Sequence, residues 1–476
     1  MLRLAAALAA ALLAVPAAAA PAKAAPKLAG DTGEPAFRAL YKELVETNTA
    51  VSAPGGCTLA AQRVAARMKA AGFTDAELTL FSVPEFPLDG GLVAVLPGKD
   101  PKAKAVLLLA HLDVVEAKRE DWTRDPFTLV EENGYFYARG ASDDKAQAAI
   151  FADLLIRLRR EGYQPKRAVK MALTCGEESG ARFNGAEWLA KNRRELIDAG
   201  VALNEGAGAS YDRTGKRISV EVLAAEKATV NFTLEVTNPG GHSSRPVPDN
   251  AIYDLARALD RVSHYEFPLQ LNDANRAYFT AMAKIEGGET GAAMTALLAN
   301  PQDAAADARL SRNPDYHTML RTTCVATTIE GGHATNALPQ RARANINCRV
   351  FPGVDPGSVR DALVKAVANP TVTVSAPMVR RPPAPAPPMS PQVLGPIQTV
   401  SSQLWPGVPV IPFLLPGATD ANWLNAVGIP TFGVSGLFDE PGGNGAHGLN
   451  EHILVKSVME GREFTYRLVR LYAEQK

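Results

Sequence analysis

The chain has 476 residues, of which 46% are hydrophobic, and its 50 basic and 50 acidic side chains leave no net formal charge. A chain of this length can bury a large core, divided between two or three domains. Because the charge is balanced, nothing in the composition indicates a nucleic-acid partner or a membrane-surface protein.

Residues 1–25 have the layout of a secretory signal peptide, with one arginine, then an apolar run, then small residues. We therefore expect an exported protein, periplasmic or secreted, with cleavage between Ala20 and Ala25. An uncleaved membrane anchor is the alternative, but the apolar run is short for a span of roughly 20 residues. After removal of the signal peptide, the sequence predicts no membrane partner.

The chain contains four cysteines, Cys57, Cys175, Cys324 and Cys348, and no two of them form a closely spaced metal-binding pair. A disulfide is allowed in an exported protein. Cys324 and Cys348 lie in neighbouring strand-like segments and could pair. The alternative is that all four are small buried hydrophobic residues.

Strand-like and helix-like segments alternate between about residues 36 and 205. The apolar runs at 105–113, 168–175 and 200–206 indicate buried parallel strands. Residues 143–162 predict a helix, because their leucines and Ile150 fall on one face. This order predicts an α/β fold with a mixed, mainly parallel sheet flanked by helices.

The pattern changes after residue 226. Alternating strand-like segments and two segments with helical spacing, 250–262 and 358–367, predict an inserted α+β domain of β-α-β-β-α-β (ferredoxin-like) type over residues 227–378. The proline-rich stretch 380–391 is interpreted as the return linker, with a disordered surface loop as the alternative. The larger domain is therefore predicted in two parts, 26–226 and 379–476, the second ending in a helix at about 453–474.

Acidic and histidine side chains follow the predicted strands, where the chemistry of α/β sheets is located. Each has an ordinary explanation when taken alone, such as a surface histidine, a helix cap at Asp143 or a solvated turn at Glu177 and Glu178. The candidates are His111, Asp113, Asp143, Asp144, Glu177, Glu178, Glu205 and His447.

Several carboxylates share a cleft only when they are protonated or neutralised. Two histidines among them favour a transition metal over calcium, which prefers oxygen ligands. Such a mixed set of ligands fits zinc, cobalt or manganese, and a shared carboxylate would hold two ions roughly 3.5–4 Å apart.

Six motifs occur along the chain in the order "AHLDVV", "W…DPF…RGASDDK", "CGEESG", "GGHSS", "NALP" and "HGLNE". This set resembles the dinuclear zinc metallopeptidase family of acetylornithine deacetylase, succinyl-diaminopimelate desuccinylase, glutamate carboxypeptidase and aminoacylase-1. The insert around 265–320 and the segments "NEGAG" and "GGHSSRP" look most like its Gly-Xaa carboxypeptidase and N-acyl-amino-acid hydrolase branch.

The resemblance implies two Zn²⁺ ions, with Co²⁺ or Mn²⁺ as alternatives. Each ion would have three protein ligands, and one of those ligands, Asp143, would bridge the two. Glu177 would be the general base, and Asp113 would accept the ring N–H of His111. The implied ligands are His111, Asp143 and Glu205 for one ion, and Asp143, Glu178 and His447 for the other.

The resemblance also makes the inserted domain a lid and dimerisation domain. His242 would reach the substrate oxyanion from the partner subunit of a homodimer, and Arg349 would bind the substrate carboxylate. Asn336, Gly417 and Thr419 match further substrate contacts, although a simple turn explains these positions equally well.

The implied function is hydrolysis of an amide or peptide bond in a small peptide with a free carboxylate, as in a carboxypeptidase or dipeptidase. An N-acyl-amino-acid deacylase would use the same machinery and is the alternative. A non-catalytic metal- or solute-binding protein is a more distant one. Glu177 counts against it, because a binding protein needs no base beside its ligand.

Overall fold

The computed structural model describes residues 33–178, 183–379 and 381–475, so the predicted signal peptide lies outside the described residues. Within these ranges no helix combines the length and the apolar character that crossing a bilayer requires. The helices are α1 (Glu34–Glu46), α2 (Gly56–Ala70), α3 (Lys145–Arg160), α4 (Gly185–Asn192), α5 (Arg194–Ile197), α6 (Ala251–Ser263), α7 (Asp273–Glu286), α8 (Gly288–Ala299), α9 (Ala304–Leu310), α10 (Pro314–Leu320), α11 (Pro356–Val367), α12 (Pro391–Leu404), α13 (Ala421–Ala426) and α14 (Val455–Glu474).

The strands are β1 (Leu78–Val83), β2 (Phe86–Leu96), β3 (Val106–His111), β4 (Val130–Glu132), β5 (Tyr135–Tyr137), β6 (Val169–Thr174), β7 (Val201–Asn204), β8 (Ala209–Tyr211), β9 (Arg217–Glu226), β10 (Ala228–Thr237), β11 (Gly241–His242), β12 (Thr323–Gly331), β13 (Ala337–Leu338), β14 (Arg341–Val350), β15 (Val372–Val374), β16 (Met378–Val379), β17 (Val410–Leu415), β18 (Thr431–Gly433), β19 (Phe438–Asp439) and β20 (His452–Leu454).

The large sheet is mixed, with a parallel centre. Strands β6, β3, β7 and β18 lie side by side and run parallel, whereas β1 and β2 join one edge in antiparallel pairing. Every residue of β3 is buried. A strand that is covered on both faces needs apolar residues throughout, which is why the three predicted strands read as continuous apolar runs.

The second sheet is antiparallel, in the order β12-β14-β10-β15, and α6 and α11 share one hydrophobic core with it. That strand order is the ferredoxin-like arrangement that the β-α-β-β-α-β pattern predicts. Strand β12 occupies the edge of this sheet.

Helices α7 to α10 have a core of their own, which includes Phe279, Met294, Leu297 and Tyr316. Phe413 of β17, in the large sheet, packs against this core. This part of the predicted inserted domain is therefore in contact with the large domain.

All four cysteines form disulfides. The Cys324–Cys348 bridge joins β12 to β14, as the sequence allowed. The Cys57–Cys175 bridge joins α2 to the segment directly after β6 and was not anticipated. The interpretation of the four as unpaired hydrophobic residues is wrong, because the fold brings the Cα atoms of the two pairs to 6.0 and 4.1 Å.

Candidate metal centre

Three of the five candidate ligands meet because they stand at the ends of three adjacent parallel strands. His111 is the last residue of β3, Glu178 lies shortly after β6, and Glu205 directly follows β7. In the sheet, β3 lies between β6 and β7. The carboxyl ends of parallel strands meet at one edge, so these side chains converge there.

Asp143 lies between the two histidines. The Nε2 atom of His111 is 3.1 Å from Asp143 Oδ1 and 3.5 Å from Glu205 Oε2. The Nε2 atom of His447 is 3.2 Å from Asp143 Oδ2 and 2.8 Å from Glu178 Oε1. Each carboxylate oxygen of Asp143 thus faces a different imidazole, which is the arrangement that a bridging ligand needs.

Asp113 contacts His111 in a different way from the one expected. The Nδ1 atom of His111 lies 3.0 Å from the backbone carbonyl oxygen of Asp113, and 3.7 Å from its carboxylate. The carboxylate instead accepts hydrogen bonds from the backbone N–H groups of Glu177 and Glu178, at 3.3 and 2.9 Å. Asp113 therefore orients the ring through its backbone and holds the Glu177–Glu178 turn with its side chain.

The turn before Glu177 requires glycine. Gly176 has φ +96°, and a Cβ atom there would lie 1.8 Å from the carbonyl oxygen of Phe183. Any other residue would clash with that carbonyl and would be strained in this conformation. The glycine thus lets the chain turn sharply after β6 and bring Glu177 and Glu178 to the sheet edge.

Glu177 is paired with Arg381, a residue that the sequence analysis did not single out. Arg381 Nη2 lies 2.5 Å from Glu177 Oε1 and donates to the Glu177 carbonyl oxygen at 2.9 Å. Burial raises the pKa of Glu177, and the Arg381 guanidinium opposes this shift. Arg381 lies in the proline-rich linker, where no local pattern marks a charged residue as functional.

Glu451 is a second residue whose role was missed, although it ends the "HGLNE" motif. It is fully buried and pairs with Arg139 at 2.7 Å. Its carboxylate also accepts hydrogen bonds from the backbone N–H groups of Ser142 and Asp143, at 2.7 and 3.0 Å. Glu451 therefore fixes the loop that carries Asp143.

The donor set fits divalent cations. Burial raises the pKa of Glu205 to about 8 and that of Glu178 to about 7, so the cluster resists ionisation when its charge is not compensated. The buried Oε1 atom of Glu205 has no hydrogen-bond partner among the described residues. His111 belongs to two sets of three side chains whose potential ligand atoms are close enough to share one ion. One set also contains Glu177 and Glu205, and the other contains Asp143 and Glu178. Metal cations would neutralise these carboxylates and use the unpaired oxygen.

The structure brings His242 and Asn336 together, and no hydrogen bond or ion pair of the described residues joins either side chain to the candidate metal ligands. They lie on the ribbon formed by β11 and β13, where Ser243 N–H donates to the Asn336 carbonyl at 3.0 Å. Both side chains are exposed. The His242 ring contacts only Ser244 among the hydrogen bonds of the described residues.

The other three predicted substrate-binding residues differ in their burial and in their hydrogen-bond partners. Arg349 donates to Thr229 at 2.6 Å, and burial together with the nearby Arg381 lowers its pKa. Thr419 is buried and bonded to Asn204 and Glu226, so its hydroxyl is engaged within the protein. Gly417 is half-exposed.

Comparison with known proteins identifies a family and several relatives. The family described as "Peptidase family M20/M25/M40" matches residues 107–471. The N-fatty-acyl-amino acid synthase/hydrolase PM20D1 of Mus musculus is 28% identical over 389 residues, 79% of this chain and 75% of the relative. Probable carboxypeptidase S-like 2 of Dictyostelium discoideum is 26% identical over 383 residues, 78% of this chain and 72% of the relative.

A solved structure shares the fold. The M20 family metallo-carboxypeptidase Sso-CP2 from Sulfolobus solfataricus aligns with a TM-score of 0.66 at 20% identity, covering 92% of this chain and 99% of that one. The predicted fold class, an α/β protein with a mainly parallel central sheet, is confirmed.

Proposed function

Since the chain belongs to peptidase family M20/M25/M40 and is a metal-dependent hydrolase of amide or peptide bonds, we propose that it is an exopeptidase of carboxypeptidase or dipeptidase type. Its substrates would be small and would carry a free carboxylate. The observation that carries this proposal is the convergence of His111, His447 and four carboxylates at one sheet edge. Arg381 pairs with Glu177 there, and Arg349 lies close enough to Arg381 for the two charges to interact. Guanidinium groups bind carboxylates with two parallel hydrogen bonds.

An N-acyl-amino-acid deacylase is the second candidate. It is favoured by the name of the mouse relative, which describes a hydrolase of N-fatty-acyl-amino acids. Both candidates would use the same hydrolytic residues, and they differ in what occupies the acyl side of the bond that is cleaved.

The family is metal-dependent, and we propose that this chain holds two Zn²⁺ ions on His111, Asp143, Glu178, Glu205 and His447. Nitrogen and carboxylate ligands of this kind suit zinc, and also cobalt or manganese. When bound, such ions act as Lewis acids and lower the pKa of water. Metal analysis of the purified protein tests the identity, with about two equivalents of zinc expected. A different metal, or one equivalent, would refute this assignment.

The protein side chains would handle the proton. Glu177 would take a proton from the attacking water as the oxygen bonds to the amide carbon. As the C–N bond breaks, Glu177 would return that proton to the leaving nitrogen, which departs as an amine. The fixed contact with Arg381 would hold the Glu177 carboxylate in position during both transfers.

A matched set of substrates tests the proposed activity. Ala-Leu, N-acetyl-leucine and Ala-Leu amide are compared with the zinc-loaded enzyme, before and after removal of the metal by a chelator. We expect hydrolysis of a substrate with a free carboxylate, a large loss when that carboxylate is amidated, and no turnover without metal. Equal rates on Ala-Leu and its amide would refute the requirement for a carboxylate.

We also propose a homodimer formed through the edge strand β12. Its Val325 and Ile329 are 59% and 64% exposed, and Tyr253 of the adjoining α6 is 58% exposed. An apolar edge strand with unpaired backbone groups is suited to pairing with a second copy. The same dimer would let the exposed His242 act in the partner's site.

Sedimentation of the wild type and of Ile329→Lys tests the dimer. The variant is expected to be monomeric, whereas Leu471→Lys, at an exposed apolar position of α14, is the control and should behave like the wild type. A monomeric wild type would contradict the proposal.

Export is proposed from the signal peptide and is supported by the two disulfides, which persist in oxidising compartments. N-terminal sequencing of the protein from the cell envelope or the medium tests it. The expected mature chain begins between residues 20 and 26, and an intact N-terminus on intracellular protein would contradict export.

A further inference from the structure

A cavity of about 300 Å³ adjoins the metal-ligand cluster. Two of the ligands, Asp143 and Glu205, form part of its wall. From there it extends between the loop that follows Glu205 and the loop that carries Asp439 and Asn444. The cavity therefore adjoins the candidate metal centre, so part of a substrate bound at that centre could occupy it.

The wall of this cavity carries three carboxylates besides the metal ligands, those of Asp144, Glu221 and Asp439. No lysine or arginine in the described part of the chain forms an ion pair with any of the three. Asp439 is bonded only weakly, by Asn444 at 3.3 and 3.4 Å. Burial and the nearby Glu221 raise the pKa of Asp439 to about 6. Glu221 accepts hydrogen bonds from the Ser210 and Ser219 hydroxyls, at 2.7 and 3.1 Å. The wall of the cavity is thus acidic, and no lysine or arginine of the described residues pairs with it.

Two deeply buried polar side chains in the same wall each have one polar atom without a hydrogen-bond partner among the residues that the structure describes. Asp144 is 4% exposed and Gln147 is 3% exposed, and both line the cavity. Asp144 Oδ2 and Gln147 Nε2 have no hydrogen-bond partner within the described ranges. An unpaired buried polar group is costly, so such atoms indicate a place where a polar ligand is accommodated.

The acidic wall of the cavity counts against three kinds of occupant. A carboxylate would be repelled by the acidic wall, so the carboxylate end of the substrate does not bind there. An apolar acyl chain would desolvate the carboxylates without compensating them. Asp144, Glu221 and Asp439 do not converge into a ligand-sized group, as the residues of the metal cluster do, so a further metal ion is not favoured.

We propose that this cavity binds an alkylammonium group on the acyl side of the bond that is cleaved, and that the enzyme is selective for peptides with a cationic first residue over N-fatty-acyl amino acids. This inference rests on the proposed function, because it identifies the group at one end of a substrate whose other end is the free carboxylate. The ammonium would be either the α-amino group or the side-chain amine of the first residue, and its N–H groups would donate to the acidic wall.

Four substrates that share the same scissile bond type distinguish these sources. Ala-Leu and N-acetyl-Ala-Leu differ only in the α-ammonium group. Lys-Leu and Nα-acetyl-Lys-Leu add a side-chain amine. If the α-ammonium is bound, both acetylated peptides should lose about 10-fold or more in kcat/KM. If the side-chain amine is bound, Nα-acetyl-Lys-Leu should remain a good substrate while N-acetyl-Ala-Leu is poor.

Two variants connect any preference to the cavity. Glu221→Gln and Asp439→Asn should each reduce kcat/KM about 10-fold or more on the preferred ammonium substrate, mainly through KM, and should change hydrolysis of N-acetyl-Ala-Leu little. Retained activity on that acetylated peptide also shows that the variant is folded. Glu440→Gln is the matched control, since Glu440 is exposed, next to Asp439, and outside this cavity wall.

The outcomes separate this inference from the proposed function. Equal kcat/KM for all four peptides, together with a requirement for the carboxylate, would overturn the ammonium site and leave the proposed function intact. A preference for ammonium that neither cavity variant weakens would overturn the assignment to this cavity. No hydrolysis of any of the four peptides by metal-loaded enzyme would overturn both.

Discussion

Glu177 and Glu178 are neighbours in the chain but meet different partners. Glu178 contacts His447 at 2.8 Å, whereas Glu177 contacts Arg381 at 2.5 Å. Asp113 holds the backbone of both residues. This difference supports the proposal that one of the two adjacent carboxylates binds metal and the other transfers protons.

We expect Glu177→Gln to reduce kcat by about 10²- to 10⁴-fold, because the amide cannot accept the proton that the carboxylate takes. Metal content, measured on the same preparation, should not change. Glu178→Gln is the companion variant and should lose metal as well as activity. A Glu177→Gln enzyme with an unchanged rate would exclude Glu177 as the base.

Glu226 gives a pH-dependent prediction. It is 6% exposed, and burial raises its pKa from 4.5 to about 7 despite its bonds to Thr419. The folded state binds this proton more tightly than the unfolded chain, so the proton increases the free energy of unfolding. This contribution is present below pH 4.5 and is lost as the pH rises through 7. Glu226→Gln does not titrate. The difference in free energy of unfolding, variant minus wild type, should therefore increase by about 2 to 3 kcal/mol from pH 5 to pH 8.

Denaturant unfolding of metal-saturated Glu226→Gln and wild type at both pH values measures this change. A constant difference in the free energy of unfolding between the two proteins would mean that Glu226 does not titrate in this range. The Thr419 hydrogen bonds act on the wild type through the pKa of Glu226. A glutamine at this position adds only an offset that does not depend on pH, so it does not alter the test.

At the scale of elements, the Cys57–Cys175 disulfide ties α2 to the segment that leads from β6 into the catalytic turn. It closes a loop with a sequence separation of 118 residues, whereas Cys324–Cys348 closes one of 24 residues. Longer loops lose more entropy on closure, so the chain-entropy model assigns the first bridge about 5 kcal/mol and the second about 3.5 kcal/mol.

We expect replacement of Cys57 and Cys175 by serine to lower the melting temperature more than replacement of Cys324 and Cys348. It should also reduce kcat, because only the first bridge adjoins the turn that carries Glu177. Calorimetry and an activity assay on the two double variants measure this. Equal losses of activity would show that the first bridge does not position the turn.

At the scale of the whole molecule, the candidate metal centre combines residues that are far apart in the chain. Glu205 and His447 belong to segments on opposite sides of the inserted domain, and both reach the same cluster. Ions bound there would hold the two parts of the large domain together, in addition to supporting the reaction.

Chelation should therefore destabilise the fold. With free metal at about 1,000 times its Kd, binding contributes about 4 kcal/mol, which is lost when the metal is removed. The melting temperature should fall on chelation and recover with added zinc. His447→Ala is the control and should respond less, because one ion has lost a ligand. An unchanged melting temperature of the wild type would contradict this coupling.

The central strands and the candidate metal ligands could be predicted from local sequence. Continuous apolar runs identified β3, β6 and β7, since strands covered on both faces admit few polar residues. Acidic and histidine residues directly after those runs identified the candidate centre, because parallel strands present their ends at one edge. The reaction class followed from the residue types and from the resemblance.

Only the tertiary structure decided which distant residues meet. Arg381 is 204 positions from Glu177, Glu451 is 308 from Asp143, and Cys57 is 118 from Cys175. None of these contacts leaves a local periodicity, because each depends on how separate elements pack. The same holds for the acidic cavity, whose wall combines residues from both parts of the large domain. Sequence determined the strands and the chemistry at their ends, whereas packing determined the partners of those residues.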